Sequence, residues 1–205
     1  MAARTQMISA ALVPWTMIGL RAALCPLILW ATHTGWIGRW LAAIVLFALV
    51  DDIYDGILVR HWNCDTPTLR LADSIADTIF YLGVLGALWM RKPEVLRSNR
   101  FLFAAVLILE ASRYLFDLSK FGKAASYHSY MAKAWGLLLA AAMVGVFAFD
   151  SLRSLVPLAL LWGIAVNLEG LTMSMMLPRW KNDVKTVPVA WRLRRQMLSE
   201  EPVSR

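Results

Sequence analysis

Four aspartates in the first half of the chain are spaced so that they can share cations. Asp52 and Asp55 are three residues apart, and Asp73 and Asp77 are four apart, on either side of a short polar turn. Because residues three or four apart share one face of a helix, each pair is predicted to project from one side of its own helix. A hairpin of two such helices brings all four carboxylates together, and such a cluster requires cations.

The donor set favours hard divalent ions. Carboxylates without neighbouring cysteine ligands suit Mg²⁺ or Mn²⁺, and His61 and His128 are interpreted as incidental. Two bridged ions use four carboxylates better than one ion does, and two ions about 4 Å apart form a clamp for displacement at phosphorus. Arg60 is placed to add positive charge to a phosphate. The sequence therefore predicts a two-metal site acting on a phosphorylated substrate.

The elements that must position these acids are apolar. Hydrophobic residues make up 59% of the 205 residues and charged residues 17%, whereas soluble domains carry about 25% charged residues. A membrane span needs about 20 residues, and six stretches have that length: 15–32, 37–61, 69–90, 100–119, 131–149 and 154–177. We therefore predict an all-α polytopic membrane protein, with six transmembrane helices in a single domain over residues 1–205.

Aspartates inside membrane helices are energetically unfavourable, so their presence requires an explanation. An unpaired aspartate near the centre of a membrane helix costs about 2.5–3.5 kcal/mol. A structural ion-pair network is the competing interpretation, but Arg60 and Arg70 cannot neutralise four carboxylates. Because two arginines are too few for four carboxylates, a functional cation site is favoured over a structural ion-pair network.

Basic residues indicate the orientation of the bundle. Placing both termini in the cytosol puts 13 Lys and Arg inside and six outside, as expected for a protein of the cytoplasmic membrane. Topology thus accounts for the net charge of +7, and no nucleic-acid partner is predicted.

Residues 1–13 are predicted to form an interfacial helix. Residues 178–205 are predicted to form a basic cytosolic tail, which either lies on anionic lipid or is solvated.

Several other basic side chains each have two interpretations. Arg21, near the cytosolic end of the first span, either snorkels to the headgroups or faces a ligand. Arg113 either pairs with Glu110 or contributes to a substrate site. Lysines near the inner end of the fourth span either signal topology or bind a phosphorylated ligand. These lysines are Lys120, Lys123 and Lys133.

The acidic motif resembles the signature of the CDP-alcohol phosphatidyltransferases, D-x-x-D-G-x-x-A-R, eight or nine residues, then G-x-x-x-D-x-x-x-D. The residues of this chain that follow the pattern are Asp52, Asp55, Gly56, Val59, Arg60, Leu69, Asp73 and Asp77. The register selects Asp52 over Asp51. The spacing of Pro14, Arg21 and Pro26 is similar to a weaker N-terminal pattern of the family. Val59 and Leu69 depart from it, since the family has Ala and Gly there.

The resemblance implies a reaction and roles for these residues. The expected reaction transfers a phosphatidyl group from a CDP-linked lipid such as CDP-diacylglycerol to a small alcohol, releasing CMP, in phospholipid biosynthesis. Asp77 would also be the general base, Gly56 would let the nucleotide lie against the helix, and Arg60 would support the phosphates. The candidate substrate-binding residues also include Arg21, Arg113, Lys120, Lys123 and Lys133. The ligands of two Mg²⁺ or Mn²⁺ ions would be Asp52, Asp55, Asp73 and Asp77. Homodimers occur in the family and are included in the prediction.

Two other functions are open at this stage. A divalent-cation transporter also places carboxylates in membrane helices, although the apolar outer halves of the spans argue against a continuous path. A family member without catalytic activity is suggested by Val59 and Leu69, whose larger side chains would alter the nucleotide pocket. The acceptor is not determined by the sequence, but the lysines and Arg113 favour an anionic alcohol such as glycerol phosphate or inositol phosphate.

Overall fold

The computed structural model describes residues 2–62, 64–125 and 127–199, with side chains from residue 12 onward. Within these ranges the fold is all-α, as predicted, and no strand is present. The helices in chain order are α1 (Ala2–His33), α2 (Gly38–His61), α3 (Pro67–Arg91), α4 (Pro93–Ser98), α5 (Arg100–Phe121), α6 (Tyr130–Phe149), α7 (Leu155–Met176) and α8 (Val187–Ser199).

The six predicted spans correspond to α1, α2, α3, α5, α6 and α7. The long apolar helices that can cross a membrane are Leu12–His33, Pro67–Arg91, Tyr130–Phe149 and Leu155–Met176. These helices indicate an integral membrane protein. Helices α2 and α5 reach 24 and 22 residues but carry several charges, so the count of six spans is not confirmed and stays a prediction.

Three segments differ from the expected layout. The predicted interfacial helix over 1–13 is not a separate element, because α1 begins at Ala2 and continues unbroken to His33. Helix α4 is a short connection that hydropathy did not indicate. The predicted basic tail contains α8, whose apolar side chains pack on α7 and the preceding loop. Residues 200–205 of that tail lie outside the described residues.

The chain divides into two compact units. Unit 1 comprises Met1–Ser98 and Ala140–Arg153, and unit 2 comprises Asn99–Leu139 and Ser154–Arg205. In unit 1, α1 packs against both α2 and α3. In unit 2, α7 packs against α5 and α8. Both acidic pairs of the sequence motif lie in unit 1.

Small residues bring α1 and α3 close together. A Cβ atom added at Gly83 of α3 would lie 2.9 Å from the Sγ of Cys25. One added at Gly86 would lie 2.8 Å from Cδ2 of Leu29. At its start, α3 is capped by Thr66, whose hydroxyl oxygen accepts from the backbone N–H of Leu69 at 3.2 Å. The close packing holds α1 against α3.

Another close approach joins the start of α2 to the end of α6. A Cβ atom at Gly38 would overlap the carbonyl oxygen of Phe147, which belongs to the backbone and cannot rotate away. We therefore expect Gly38→Ala to lower the stability of the protein by about 1–3 kcal/mol. The measurement is the apparent melting temperature of the purified protein in detergent.

Gly136 on α6 offers a matched control for this variant. A Cβ atom at Gly136 would have nothing within 4 Å, and alanine is the better helix former. We expect Gly136→Ala to leave the melting temperature unchanged or slightly raised. Equal melting temperatures for the two variants would contradict the close contact at Gly38.

Candidate metal and substrate site

The two acidic pairs converge in unit 1, as their spacing predicts. Carboxylate oxygens of Asp52, Asp55 and Asp73 lie within 4.8 Å of one another. Asp77 joins them through a shared partner, the guanidinium of Arg21. The hairpin of α2 and α3 therefore brings together the four carboxylates that the sequence motif selects.

Arg21 of α1 lies at the centre of this cluster. Its Nη1 is 2.6 Å from both Asp73 Oδ1 and Asp77 Oδ1, and 3.1 Å from Asp52 Oδ1. Its Nη2 forms ion pairs with Asp55 and Asp51. The side chain of Arg21 is only 1% exposed. The structure therefore excludes the snorkelling interpretation of Arg21.

Asp51 is a fifth acid in the cluster that the sequence analysis set aside. Its Oδ2 lies 3.3 Å from Nη2 of Arg21, and the residue is buried. The signal was present in the sequence, because Asp51 and Asp55 are four residues apart and share a helix face. The family motif begins at Asp52 and does not include Asp51, so the motif alone does not identify Asp51 as part of the cluster.

The cluster has an open side and a closed side. The side chains of Asp52 and Asp77 are 44% and 37% exposed. Those of Asp51 and Asp55 are 5% and 7% exposed. The cluster is therefore accessible at Asp52 and Asp77.

The donors suit a hard divalent cation. They are carboxylate oxygens from two rigid helices, and those of Asp52, Asp55 and Asp73 are close enough to share an ion. The point where three of the carboxylates converge is already occupied by a positively charged group, Nη1 of Arg21. The residues therefore fit Mg²⁺ or Mn²⁺.

Gly56 and Arg60 lie next to each other on the turn after Asp55. A Cβ atom at Gly56 would be 3.4 Å from Nη1 of Arg60, so the guanidinium lies over the glycine. The Arg60 side chain is exposed. Arg70, considered as a partner for the motif acids, instead forms an ion pair with Asp65.

The two residues that depart from the family pattern lie in one apolar cluster. Leu69 is 4% exposed and forms this cluster with Ile18 and Ala76, and Val59 packs against it. The larger side chains at 59 and 69 are therefore accommodated by packing among α1, α2 and α3.

In unit 2, Arg113 has partners within the protein. Its Nη1 donates to the carbonyl oxygen of Ala125 at 3.3 Å, and its Nε donates to Oδ1 of Asn167 at 3.4 Å. The ion pair of Arg113 is with Asp117, at 3.9 Å, and not with Glu110 as one interpretation proposed. Gly170 makes room for this side chain, since a Cβ there would lie 2.8 Å from Cδ of Arg113.

Two of the three predicted lysines also have intramolecular partners. Lys120 Nζ donates to the carbonyl oxygens of Ser174 and Met175 at 2.8 and 3.0 Å, at the end of α7. Lys123 Nζ lies 3.7 Å from the centroid of the Trp180 ring, a cation–π contact. Lys133 is exposed on the first turn of α6.

Asp117 is a buried acid of unit 2 that the sequence analysis did not select. Its Oδ1 accepts from the hydroxyl of Ser174 at 2.5 Å, and its Oδ2 accepts from the N–H of Ala125 at 3.3 Å. The Tyr127 hydroxyl lies 2.8 Å from Ser174 Oγ, and burial raises the pKa of this phenol to about 12. Because the Ser174 hydroxyl donates to Asp117, Tyr127 donates to Ser174. The four-residue spacing from Arg113 could have indicated Asp117.

Comparison with known proteins agrees with the motif. A family model described as CDP-alcohol phosphatidyltransferase matches residues 11–176, which include both acidic pairs and Arg21. No curated protein and no solved structure matches the chain.

Proposed function

Because the chain belongs to the CDP-alcohol phosphatidyltransferase family, we propose that it transfers a phosphatidyl group from a CDP-linked lipid, such as CDP-diacylglycerol, to a small alcohol. The products are CMP and a phospholipid. The observation that carries this proposal is the convergence of the four motif carboxylates on one cation position. The family resemblance supplies the chemistry, and the cluster supports its assignment to this chain.

In this proposal, Asp52, Asp55, Asp73 and Asp77 would hold two Mg²⁺ or Mn²⁺ ions. When bound, such ions would neutralise charge on the oxygens on the attacking and leaving sides of a displacement at phosphorus. Asp77 is the general base, and its position on the open side of the cluster supports this role. Its carboxylate takes the proton of the acceptor hydroxyl while the acceptor oxygen bonds to the lipid-side phosphorus. The bond from that phosphorus to the bridging oxygen breaks, and CMP leaves with the electron pair.

Gly56 and Arg60 are proposed to bind the nucleotide end of the donor. Gly56 has no side chain to keep the nucleotide from the helix, and the exposed guanidinium of Arg60 lies beside it. A guanidinium suits phosphate oxygens because it donates two parallel hydrogen bonds. Arg21 and Lys133 stay candidate substrate-binding residues. The intramolecular partners of Arg113, Lys120 and Lys123 favour a structural role for those three.

The membrane arrangement follows from the same proposal. Helix α2 buries Asp51 and Asp55 and exposes Val50, Ile53 and Ile57, a pattern that supports α2 as a span with one face toward lipid. With six spans and both termini in the cytosol, the acids lie near the cytosolic surface of the cytoplasmic membrane. The polar head of a CDP-linked lipid can then reach them while its acyl chains stay in the bilayer. The homodimer stays a prediction.

The test is a CMP-release assay with the purified full chain in nanodiscs. Radiolabelled CDP-diacylglycerol is supplied with a panel of acceptors that includes glycerol phosphate, inositol phosphate and neutral or zwitterionic alcohols. We expect CMP release that depends on Mg²⁺ and on one class of acceptor. Binding of Mn²⁺ without binding of CDP would instead support a non-catalytic protein. Cation flux in proteoliposomes without a lipid substrate would support a transporter.

A further inference from the structure

Arg21 divides its contacts between two sets of carboxylates. Its Nη1 contacts Asp52, Asp73 and Asp77, which all belong to the family motif. Its Nη2 contacts Asp55 of the motif and Asp51, which precedes the motif. One planar guanidinium thus joins the acids assigned to metal binding to an acid outside the motif.

The acidic cluster, Arg21 and two bound divalent cations have a net charge of zero only when Asp51 is counted. Five carboxylates and one guanidinium leave a formal charge of −4, and two divalent cations neutralise that charge. In this arrangement the four motif acids neutralise the two ions, and Asp51 neutralises Arg21. Net neutrality matters here because uncompensated charge in a buried site is costly.

We propose that Asp51 is a positioning residue of the metal site, which retains the guanidinium of Arg21 when divalent cations displace it from the four motif aspartates. The proposal rests on the proposed function, since it takes those four residues as the metal ligands. In the metal-free protein, Arg21 is the counter-ion of the whole cluster. In the metal-bound protein, Arg21 and Asp51 form a neutral pair on its closed side.

Three features of the geometry support this exchange. Nη1 contacts Asp52, Asp73 and Asp77, three of the four acids assigned to the ions, so Arg21 and a metal ion would compete for these carboxylates. Asp51 is buried beside Nη2, so the guanidinium can keep this contact while Nη1 moves away. Among the described residues, the buried Nε of Arg21 has no hydrogen-bond acceptor. Reorienting the guanidinium therefore breaks no hydrogen bond at Nε.

The first test measures Mn²⁺ affinity by electron paramagnetic resonance, with the purified full chain and no nucleotide. We expect Asp51→Asn to weaken Mn²⁺ binding about 5–150-fold, the usual range for coupling between two sites. Asp51→Glu should restore most of the affinity. Asp65→Asn is the matched control, since Asp65 pairs with Arg70 and lies outside the cluster, and it should leave the affinity unchanged. Unchanged affinity in Asp51→Asn would overturn the proposal.

A double-mutant cycle then asks whether Asp51 acts through Arg21. We expect Arg21→Gln to tighten Mn²⁺ binding because the competing cation is gone, and to lower the melting temperature of the metal-free protein. In that background Asp51→Asn should have no further effect on affinity. An additive loss would mean that Asp51 acts only as a nearby negative charge, which contradicts the proposal. If Arg21→Gln does not fold, Arg21→Lys replaces it in the cycle. An ammonium group cannot contact Asp51 and the motif acids through two separate nitrogens, so the effect of Asp51→Asn on Mn²⁺ affinity should shrink in that background, and an undiminished effect would contradict the proposal.

The same preparations separate this proposal from the transferase function. The expected affinity pattern without CMP release would support the role of Asp51 and reject the transferase. Acceptor-dependent CMP release with equal Mn²⁺ affinity in wild type and Asp51→Asn would support the transferase and reject the role of Asp51.

Discussion

Asp77→Asn is expected to lower the rate of CMP release by about 10²–10⁴-fold, the usual contribution of a general base. The amide cannot accept a proton from the acceptor hydroxyl, although its oxygen can still coordinate a cation. Because Asp77 is also assigned as a metal ligand, Mn²⁺ binding should weaken too, but kcat at saturating Mn²⁺ should still show the full loss. The measurements are CMP release at saturating acceptor and a parallel Mn²⁺ titration.

Asp65→Asn is the control for this substitution as well. It makes the same chemical change at an aspartate of the α2–α3 turn, whose partner is Arg70. Its kcat should stay close to the wild-type value. If Asp77→Asn also keeps wild-type turnover, Asp77 is not the base, even if the protein remains a transferase.

Asp55→Asn is expected to lower CMP release by about 10³-fold or more, because it weakens the metal site. Charge neutralisation by metal ions supplies several kcal/mol in the transition state, and each 1.36 kcal/mol is about a factor of ten in rate. Asp55 is the least exposed of the four motif acids, at 7%, so solvent cannot replace its charge. Adding a chelator to the wild-type protein should have the same effect, and Mg²⁺ or Mn²⁺ should restore the rate.

The control for Asp55→Asn is Asp150→Asn. Asp150 accepts from Arg153 and Lys92 at 2.7 and 2.9 Å, in an exposed ion cluster of unit 1 away from the motif. Its loss should leave both Mn²⁺ affinity and CMP release close to wild type. Metal-independent CMP release, or wild-type turnover in Asp55→Asn, would contradict the two-metal site.

The long helices could be predicted because their signal is local. A run of about 20 apolar residues specifies a membrane helix almost regardless of its neighbours. The predicted spans therefore agree closely with α2, α3, α5, α6 and α7. Helix α8 is different, because its 13 residues include several arginines and its apolar side chains are covered by tertiary packing in a cluster that includes Met173, Leu177 and Val184. No local pattern indicates that packing.

The candidate site also has a part that could be predicted from local spacing and a part that could not. The spacing of Asp52, Asp55, Asp73 and Asp77 determined which carboxylates share a helix face, because helical periodicity depends only on residue separation. The resemblance then identified the family. The positions of Arg21 and Asp51 required the structure. Arg21 is 30 residues from Asp51 in the chain, so their contact depends on how α1 packs against α2.

The sequence by itself determined the all-α membrane class, the acidic hairpin and its preference for hard cations, since each depends on composition or short spacing. The tertiary structure alone decided which cation pairs with those acids, which of them are exposed and which basic residues are engaged elsewhere. These properties depend on distances between helices, and packing of small residues such as Gly83 against Cys25 sets those distances.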